Sequence, residues 1–366
     1  MWMISDSLSK DLKHTFGKLS REEKLKLQDA VMLITGCAGS LGYYFMHFLD
    51  RYAGELGIRK VIALDNFILG KPAWIEKFSE NSLFSVNMFD IIRDDISSVP
   101  MSDEADHIIH MASIASPVFY RNFPIETLDA NVWGLRHLLD HYKDREIKGF
   151  LFFSSSEIYG DPAPEYIPTD ENYPGFVSAT GPRACYDESK RFGETMCMLY
   201  SLKYQMPIGV ARPFNNYGPG SHLNDKRVTA DFVKAIEEDK DIEILSDGSP
   251  TRTFCYVADA VAGYLKILLH GSYDYFNIGI EGPEITIGQL AQIYVKKGQD
   301  IFGYRGKVTF GTSDDKDYLT DNPQRRCPSI AKAGKLLGYA PEIEIEEGVE
   351  RYLRFIAESP ESEYKW

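Results

Sequence analysis

Tyr186 and Lys190 stand four residues apart in the run Cys185-Tyr186-Asp187-Glu188-Ser189-Lys190, a spacing that puts both side chains on one face of a helix, about one turn from each other. Such a pair can move a proton. A free tyrosine titrates near 10, so acting as a base near neutral pH asks for help on the order of 4 kcal/mol. One positive charge at about 4 Å in a partly buried site is worth about that much. Roughly thirty residues earlier the apolar Phe152-Phe153 runs into Ser154-Ser155-Ser156-Glu157, which sets hydroxyls and a carboxylate at the carboxyl end of an expected strand. In isolation the Tyr/Lys pair reads as an ordinary helical pair; the serine cluster tips it toward chemistry.

A second constellation lies in Val31-Met-Leu-Ile-Thr-Gly36-Cys-Ala-Gly39-Ser40-Leu41-Gly42, three glycines at three-residue spacing between an apolar run and an apolar helical pattern. Gly36 permits a tight turn, Gly39 lets backbone approach a pyrophosphate, and Gly42 lets the helix pack closely on the sheet. The helix start then offers free N–H groups and partial positive charge to that pyrophosphate. A glycine triplet alone equally marks a plain strand-to-helix turn. Here Asp65 closes the next apolar run, where an acidic side chain accepts hydrogen bonds from the ribose hydroxyls of NAD and repels the extra phosphate of NADP. NAD is therefore the expected cofactor.

The elements that must hold these residues follow from periodicity. Apolar runs at 30–35, 60–64, 107–111, 149–153 and 208–211 alternate with helical patterns at 41–49, 124–142 and 186–204, the signature of a parallel sheet with helices on both faces. The predicted fold is α/β, a Rossmann-type doubly wound parallel sheet with a smaller mixed α/β substrate-binding lobe. The expected divisions are a helical N-terminal extension at 1–30, an NAD-binding domain at 31–211 with about 252–280, and a lobe from 212–251 and 281–366. Helices are predicted at 228–238, 286–297, 331–337 and 345–356. The extension, with Leu8, Leu12, Phe16, Leu19, Leu25 and Leu27 loosely at helical spacing, is either a solvated segment or an arm toward another subunit.

Composition narrows the function. The chain has 366 residues, 44% hydrophobic and 26% charged, which suits a globular protein and not a disordered, collagenous or coiled-coil one. Its 40 Lys and Arg against 54 Asp and Glu give a net charge of -14, so no bulk attraction draws it to nucleic acid or anionic membrane, although a local basic pocket can still hold an anionic small molecule. Five scattered cysteines, none in a Cys-x-x-Cys pair, suit a reducing compartment. No apolar run reaches membrane-spanning length and the start is rich in charge, so a cytoplasmic location is expected. The eight histidines show no ligand spacing, and no metal is expected.

At the level of motifs the chain resembles the extended short-chain dehydrogenase/reductases that modify nucleotide sugars, and within them the UDP-glucuronate decarboxylases. The likeness runs from Met32 to about Tyr352 and is carried by residues 35–42, Leu64-Asp65-Asn66-Phe67, His110-Met-Ala-Ser-Ile-Ala-Ser116-Pro117 with Tyr120, Ser155-Ser156-Glu157-Ile-Tyr-Gly-Asp161-Pro162, Gly181-Pro-Arg183-Ala-Cys-Tyr186-Asp-Glu-Ser-Lys190, Arg212-Pro-Phe-Asn215-Asn-Tyr-Gly-Pro219, Thr251-Arg252 and Asp321-Asn-Pro-Gln-Arg-Arg326. The resemblance implies that Tyr186 deprotonates the sugar 4-hydroxyl, that Lys190 holds the nicotinamide ribose and lowers the tyrosine's pKa, and that Ser155 binds the 4-oxygen. It implies that Ser156 and Glu157 handle the sugar carboxylate and the C5 proton. Dehydratases carry Asp-Glu at that place and simple 4-epimerases lack the glutamate, so Ser156 discriminates among the branches.

The same likeness gives Gly36, Gly39, Ser40, Leu41, Gly42, Asp65, Asn66, Asp90 and Ala112 to the cofactor, and Tyr120, Arg183, Asn215, Arg227, Arg252 and Arg326 to the nucleotide sugar. For each arginine taken singly a surface ion pair is the less favoured alternative. It also implies a homodimer or higher homo-oligomer, joined through helices near 127–142 and 186–204. Three residues depart from the branch pattern: Ser155 stands for the usual Thr, Ser189 for Gly, and Ser329 for Asp. A 4,6-dehydratase or 4-epimerase on a neutral hexose is the alternative within the class, and a non-catalytic NAD-binding protein the alternative outside it.

Overall fold

Seven runs of the chain form one wholly parallel sheet in the computed structural model, which describes residues 4–313, 320 and 322–365. Asp321, the first residue of one of the motifs above, lies outside the described residues, as do the first three residues of the extension. The strands are β1 (Val31–Thr35), β2 (Lys60–Asp65), β3 (Phe84–Met88), β4 (His107–His110), β5 (Gly149–Phe153), β6 (Ile208–Pro213) and β7 (Asp274–Ile278), ordered β7-β6-β5-β4-β1-β2-β3. From β1 the chain winds one way through β2 to β3, then crosses back to β4 and winds the other way. Met32 therefore faces Val61 on one side and His107 on the other, and the sheet opens a crevice at the carboxyl ends of β1 and β4 where winding reverses. Every residue of β1 is buried. Side chains alternate between faces, so Met32 and Ile34 join one apolar core while Val31 and Leu33 join the other.

Helices cover both faces: α1 (Asp6–Lys18), α2 (Ser40–Leu56), α3 (Ala184–Tyr204), α4 (Val228–Glu237), α5 (Val257–Leu268) and α6 (Ile345–Glu358), with further helices at Pro124–Asp129, Leu135–Tyr142, Ile287–Phe302 and Ala331–Leu337. Sequence periodicity missed β3, β7 and α5. All twelve residues of α5 are buried, which leaves no polar stripe to reveal a helix. In β7 the polar Asn277 breaks the apolar run, yet it is fully buried: its side chain accepts from the Tyr159 hydroxyl at 2.7 Å and donates to Thr169 O at 2.9 Å. Beyond the sheet, the short strand Thr251–Arg252 pairs antiparallel with Ile285–Thr286 and parallel with Arg325–Arg326, bringing distant arginines to one place.

The extension at 4–30 takes neither of the forms left open by its sequence. Leu8, Leu12, Leu19 and Leu27 enter the main core. Thr15 Oγ1 meets the Tyr44 hydroxyl and Ala258 O, each at 2.8 Å, and the fully buried Asp11 accepts from the Tyr256 hydroxyl at 2.6 Å and from Arg351 at 2.8 Å. Its apolar face is thus spent within its own chain, clasping α5 to α6. The far end of the chain is also tied down: Glu363 accepts from the Tyr43 hydroxyl at 2.9 Å and Lys77 at 3.1 Å. Among the described residues no helix is long and apolar enough to cross a membrane.

Candidate active site

The crevice at the winding reversal is a cleft of about 910 Å³, and every residue singled out from the sequence for catalysis, cofactor or substrate lines it. At one end lies the glycine loop. Gly36 has φ +75°, and a Cβ there would stand 2.7 Å from Ala112 N; one at Gly42 would stand 2.3 Å from Cys37 O. Both positions are closed to side chains. Gly39 caps α2 without any side-chain hydrogen bond, so the first amides of the helix stay available to an anion. Asp65, at the end of β2, accepts from Ala38 N at 2.9 Å and Phe67 N at 2.8 Å. Burial raises its carboxyl above the usual range while those amides pull it back. This set fits a dinucleotide, with pyrophosphate on the loop and a ribose on Asp65.

Nearer the middle, β5 ends in the serine cluster and the first turn of α3 faces it. The Tyr186 ring stacks on Tyr120 at 5.1 Å between centroids, 12° from parallel. Burial pushes the Tyr186 hydroxyl up to about 12, opposed by its hydrogen bond with Ser155 and the charge of Arg227, and reinforced by Glu157 and Asp187. The depression expected from Lys190 is not found in the protein alone. Its Nζ donates to Phe153 O at 2.8 Å, 5.6 Å from the Tyr186 ring centroid, and burial pushes the amine down to about 7. Ser189, one of the departures from the pattern, has a local use: its hydroxyl donates to Tyr186 O at 3.0 Å and accepts from Asn131 at 2.9 Å, fastening the helix that carries Tyr186.

The far end is a knot of charge. Glu157 is gripped by Arg183 through one oxygen and by Arg326 through both, one of these contacts at 2.8 Å. Burial alone would raise this carboxyl, but Arg326 and Arg183 hold it well below the usual range. Arg183 also faces Asp187 Oδ2 at 3.4 Å. Arg227 pairs with Asp225 at 2.9 Å and donates to Ala115 O at 3.1 Å. Asn215, in the left-handed region at φ 40°, donates to Thr253 O at 2.9 Å. Arg252 lines the cleft but gives its donors to Pro323 O at 2.6 Å, Thr251 O at 2.8 Å and Gln324 O at 3.2 Å, so it fixes the segment that carries Arg326. Sequence reasoning gave no role of its own to Ser113 or, within the serine cluster, to Ser154; the buried hydroxyls of both line the cleft without a hydrogen-bond partner among the described residues. Their place at the ends of adjacent strands β4 and β5 was the available signal.

Comparison with known proteins agrees with this geometry. The profile of the NAD dependent epimerase/dehydratase family matches residues 32–279. UDP-glucuronic acid decarboxylase 1 of Xenopus tropicalis is 35% identical over 88% of this chain and 71% of its own; its namesake from Arabidopsis thaliana is 36% identical over 87% and 68%. The crystal structure of UDP-glucuronic acid 4-epimerase from Bacillus cereus, in complex with UDP-glucuronic acid and NAD, superposes with a TM-score of 0.72 at 25% identity, covering 89% of this chain and 99% of that one.

Proposed function

This chain belongs to the NAD dependent epimerase/dehydratase family and is by kinship a nucleotide-sugar decarboxylase, and from that premise we propose that its substrate is a nucleoside diphosphate glucuronate, UDP-glucuronate first among them. The observation that carries the proposal is the Arg183–Glu157–Arg326 knot beside Tyr186. The two guanidiniums share one carboxylate, and the single positive charge left over beside the reacting sugar suits a uronate carboxylate better than an uncharged hexose ring.

Bound NAD supplies the acceptor for a hydride from sugar C4. Tyr186 takes the proton of the 4-hydroxyl, with Ser155 hydrogen-bonded to it and Lys190 placed to hold the nicotinamide ribose. The 4-ketone makes the sugar a β-keto acid, whose C5–carboxylate bond breaks as the electron pair passes into the carbonyl. No strong acid is needed at that step, only orientation and a proton for C5. Arg183 and Arg326 orient the carboxylate, and Ser156 and Glu157 attend C5. Return of that hydride to C4 would give UDP-xylose without net redox change, whereas release of the reduced cofactor would leave the 4-keto pentose.

Mass-spectrometric and NMR identification of products from UDP-glucuronate, UDP-glucose and dTDP-glucose tests this. Carbon dioxide and a pentose or 4-keto pentose from UDP-glucuronate are expected, with turnover falling at least about a thousandfold in Tyr186→Phe. A 4-keto-6-deoxy product from a neutral hexose would overturn it. We propose further that the chain works as a homodimer. Ile125, Leu128 and Trp133 near the helix Pro124–Asp129, and Phe192, Leu199 and Leu202 on α3, are exposed apolar side chains on the two helices where kin were expected to pair. Sedimentation equilibrium should return twice the chain mass.

A further inference from the structure

Arg183 is held from two sides. Toward the cleft its Nη2 meets Glu157, and away from the cleft its Nε faces Asp187 Oδ2 at 3.4 Å. Asp187 is buried and is not among the residues that line the cleft. Its Oδ1 is buried with no hydrogen-bond partner among the described residues, an expensive condition for an ionised carboxylate. The groups that face it are Glu157 from the turn after β5, Arg326 from the strand Arg325–Arg326, Tyr120 from the helix Pro117–Asn122, and Arg183, Cys185 and Tyr186 at the start of its own helix.

We propose that Asp187 is a positioning residue for the carboxylate subsite: it fixes Arg183 from behind and, by its own charge, sets how strongly the Arg183–Glu157–Arg326 cluster accepts a further anion. The inference rests on the uronate reading above and deepens it. Two guanidiniums and one carboxylate leave a single net positive charge in the cluster. A protonated Asp187 preserves that charge for an incoming carboxylate, and an ionised Asp187 cancels it.

Burial and the charge of Glu157 raise the Asp187 carboxyl, with Arg183 and Arg326 opposing, so its charge changes within the range of an ordinary assay. Binding a second carboxylate nearby raises it further, so a uronate takes up a proton as it binds. Affinity for the uronate then falls as pH rises through the titration of Asp187, whereas affinity for the same nucleotide bearing an uncharged sugar does not follow that trend. An aspartate that merely steadied its helix would treat both ligands alike.

Dissociation constants for UDP-glucuronate and UDP-xylose, measured by calorimetry on the NAD-loaded full chain, test this. A Tyr186→Phe background prevents turnover. Between about pH 6 and about pH 9, UDP-glucuronate should weaken about tenfold more than UDP-xylose. Adding Asp187→Asn should remove that excess and keep the acidic-pH affinity. Asp187→Leu, which deletes the acceptor for Nε, should weaken UDP-glucuronate at both pH values while UDP-xylose binds as before. Parallel pH trends for the two ligands without any change at Asp187, or an excess that survives Asp187→Asn, would overturn the proposal. Failure to bind UDP-glucuronate at all, with UDP-xylose bound, would overturn the uronate reading instead.

Discussion

The two ends of the cleft are built from different materials. At the cofactor end the recognition groups are backbone: amides at the start of α2, two glycines whose Cβ positions are filled by neighbouring main chain, and one carboxylate braced by two amides. At the sugar end they are side chains, and charged ones. Glu157, Arg183 and Arg326 come from the turn after β5, the start of α3 and a strand 169 residues downstream of the glutamate. Backbone amides cost less to desolvate than full charges and do not titrate. A buried knot of ions costs more and titrates, and removing one member strands the others in a poor solvent.

That contrast predicts unequal damage. Glu157→Gln should hurt most. It leaves two buried guanidiniums without their carboxylate, which costs about 3–5 kcal/mol of stability, and turnover should drop at least about a thousandfold. Thermal melts with ligand sharpen the point: UDP-glucuronate, which returns a carboxylate to the arginines, should raise the variant's melting temperature more than UDP-xylose does. Equal rescue by both would break the account of the sugar end.

Gly42→Ala comes next. Its Cβ would stand 2.3 Å from Cys37 O, so the loop must shift and NAD affinity should fall about a hundredfold by fluorescence titration, the strain being about 1–3 kcal/mol. Its pH dependence should stay that of the parent, since no charge is involved. A pH-dependent loss would blur the distinction between the two ends.

The smallest effect on activity lies outside the cleft, in the clasp. Burial raises the Asp11 carboxyl to about 6, against hydrogen bonds from Tyr256 and Arg351. A carboxyl raised on folding binds its proton more tightly in the folded state, so the stability it contributes is present below about 4 and is lost as pH rises through about 6. Asp11→Asn should therefore gain on the parent above about pH 6 and lose that advantage below about pH 4, by a few kcal/mol in urea midpoints scaled by m.

Much of the cofactor end was legible without coordinates, because its parts are consecutive. Gly36, Gly39 and Gly42 declare a turn and a close approach by their spacing, and Asp65 follows at the end of the next strand. The Tyr186/Lys190 pair was legible for the same reason, a fixed helical interval. What it does electrostatically was not: the proximity suggested a lysine lowering a tyrosine, whereas burial in the protein alone pushes the tyrosine up and the lysine down. Burial is a property of everything packed around a residue, and no local spacing encodes it. The helix α5 escaped notice for a related reason, being buried on every side.

By itself, then, the sequence determined five of the seven strands of the sheet, the phosphate loop and the Tyr186/Lys190 interval, since each is set by short-range periodicity, while the residues at the sugar end came from likeness of motif. Only the tertiary structure decided what those residues do to one another. It made the N-terminal segment part of the core, turned Arg252 to the backbone at 323–324, and closed two arginines on Glu157 with Asp187 behind them. Coulomb and desolvation energies depend on distances between residues far apart in the chain, and those distances exist only once it has folded.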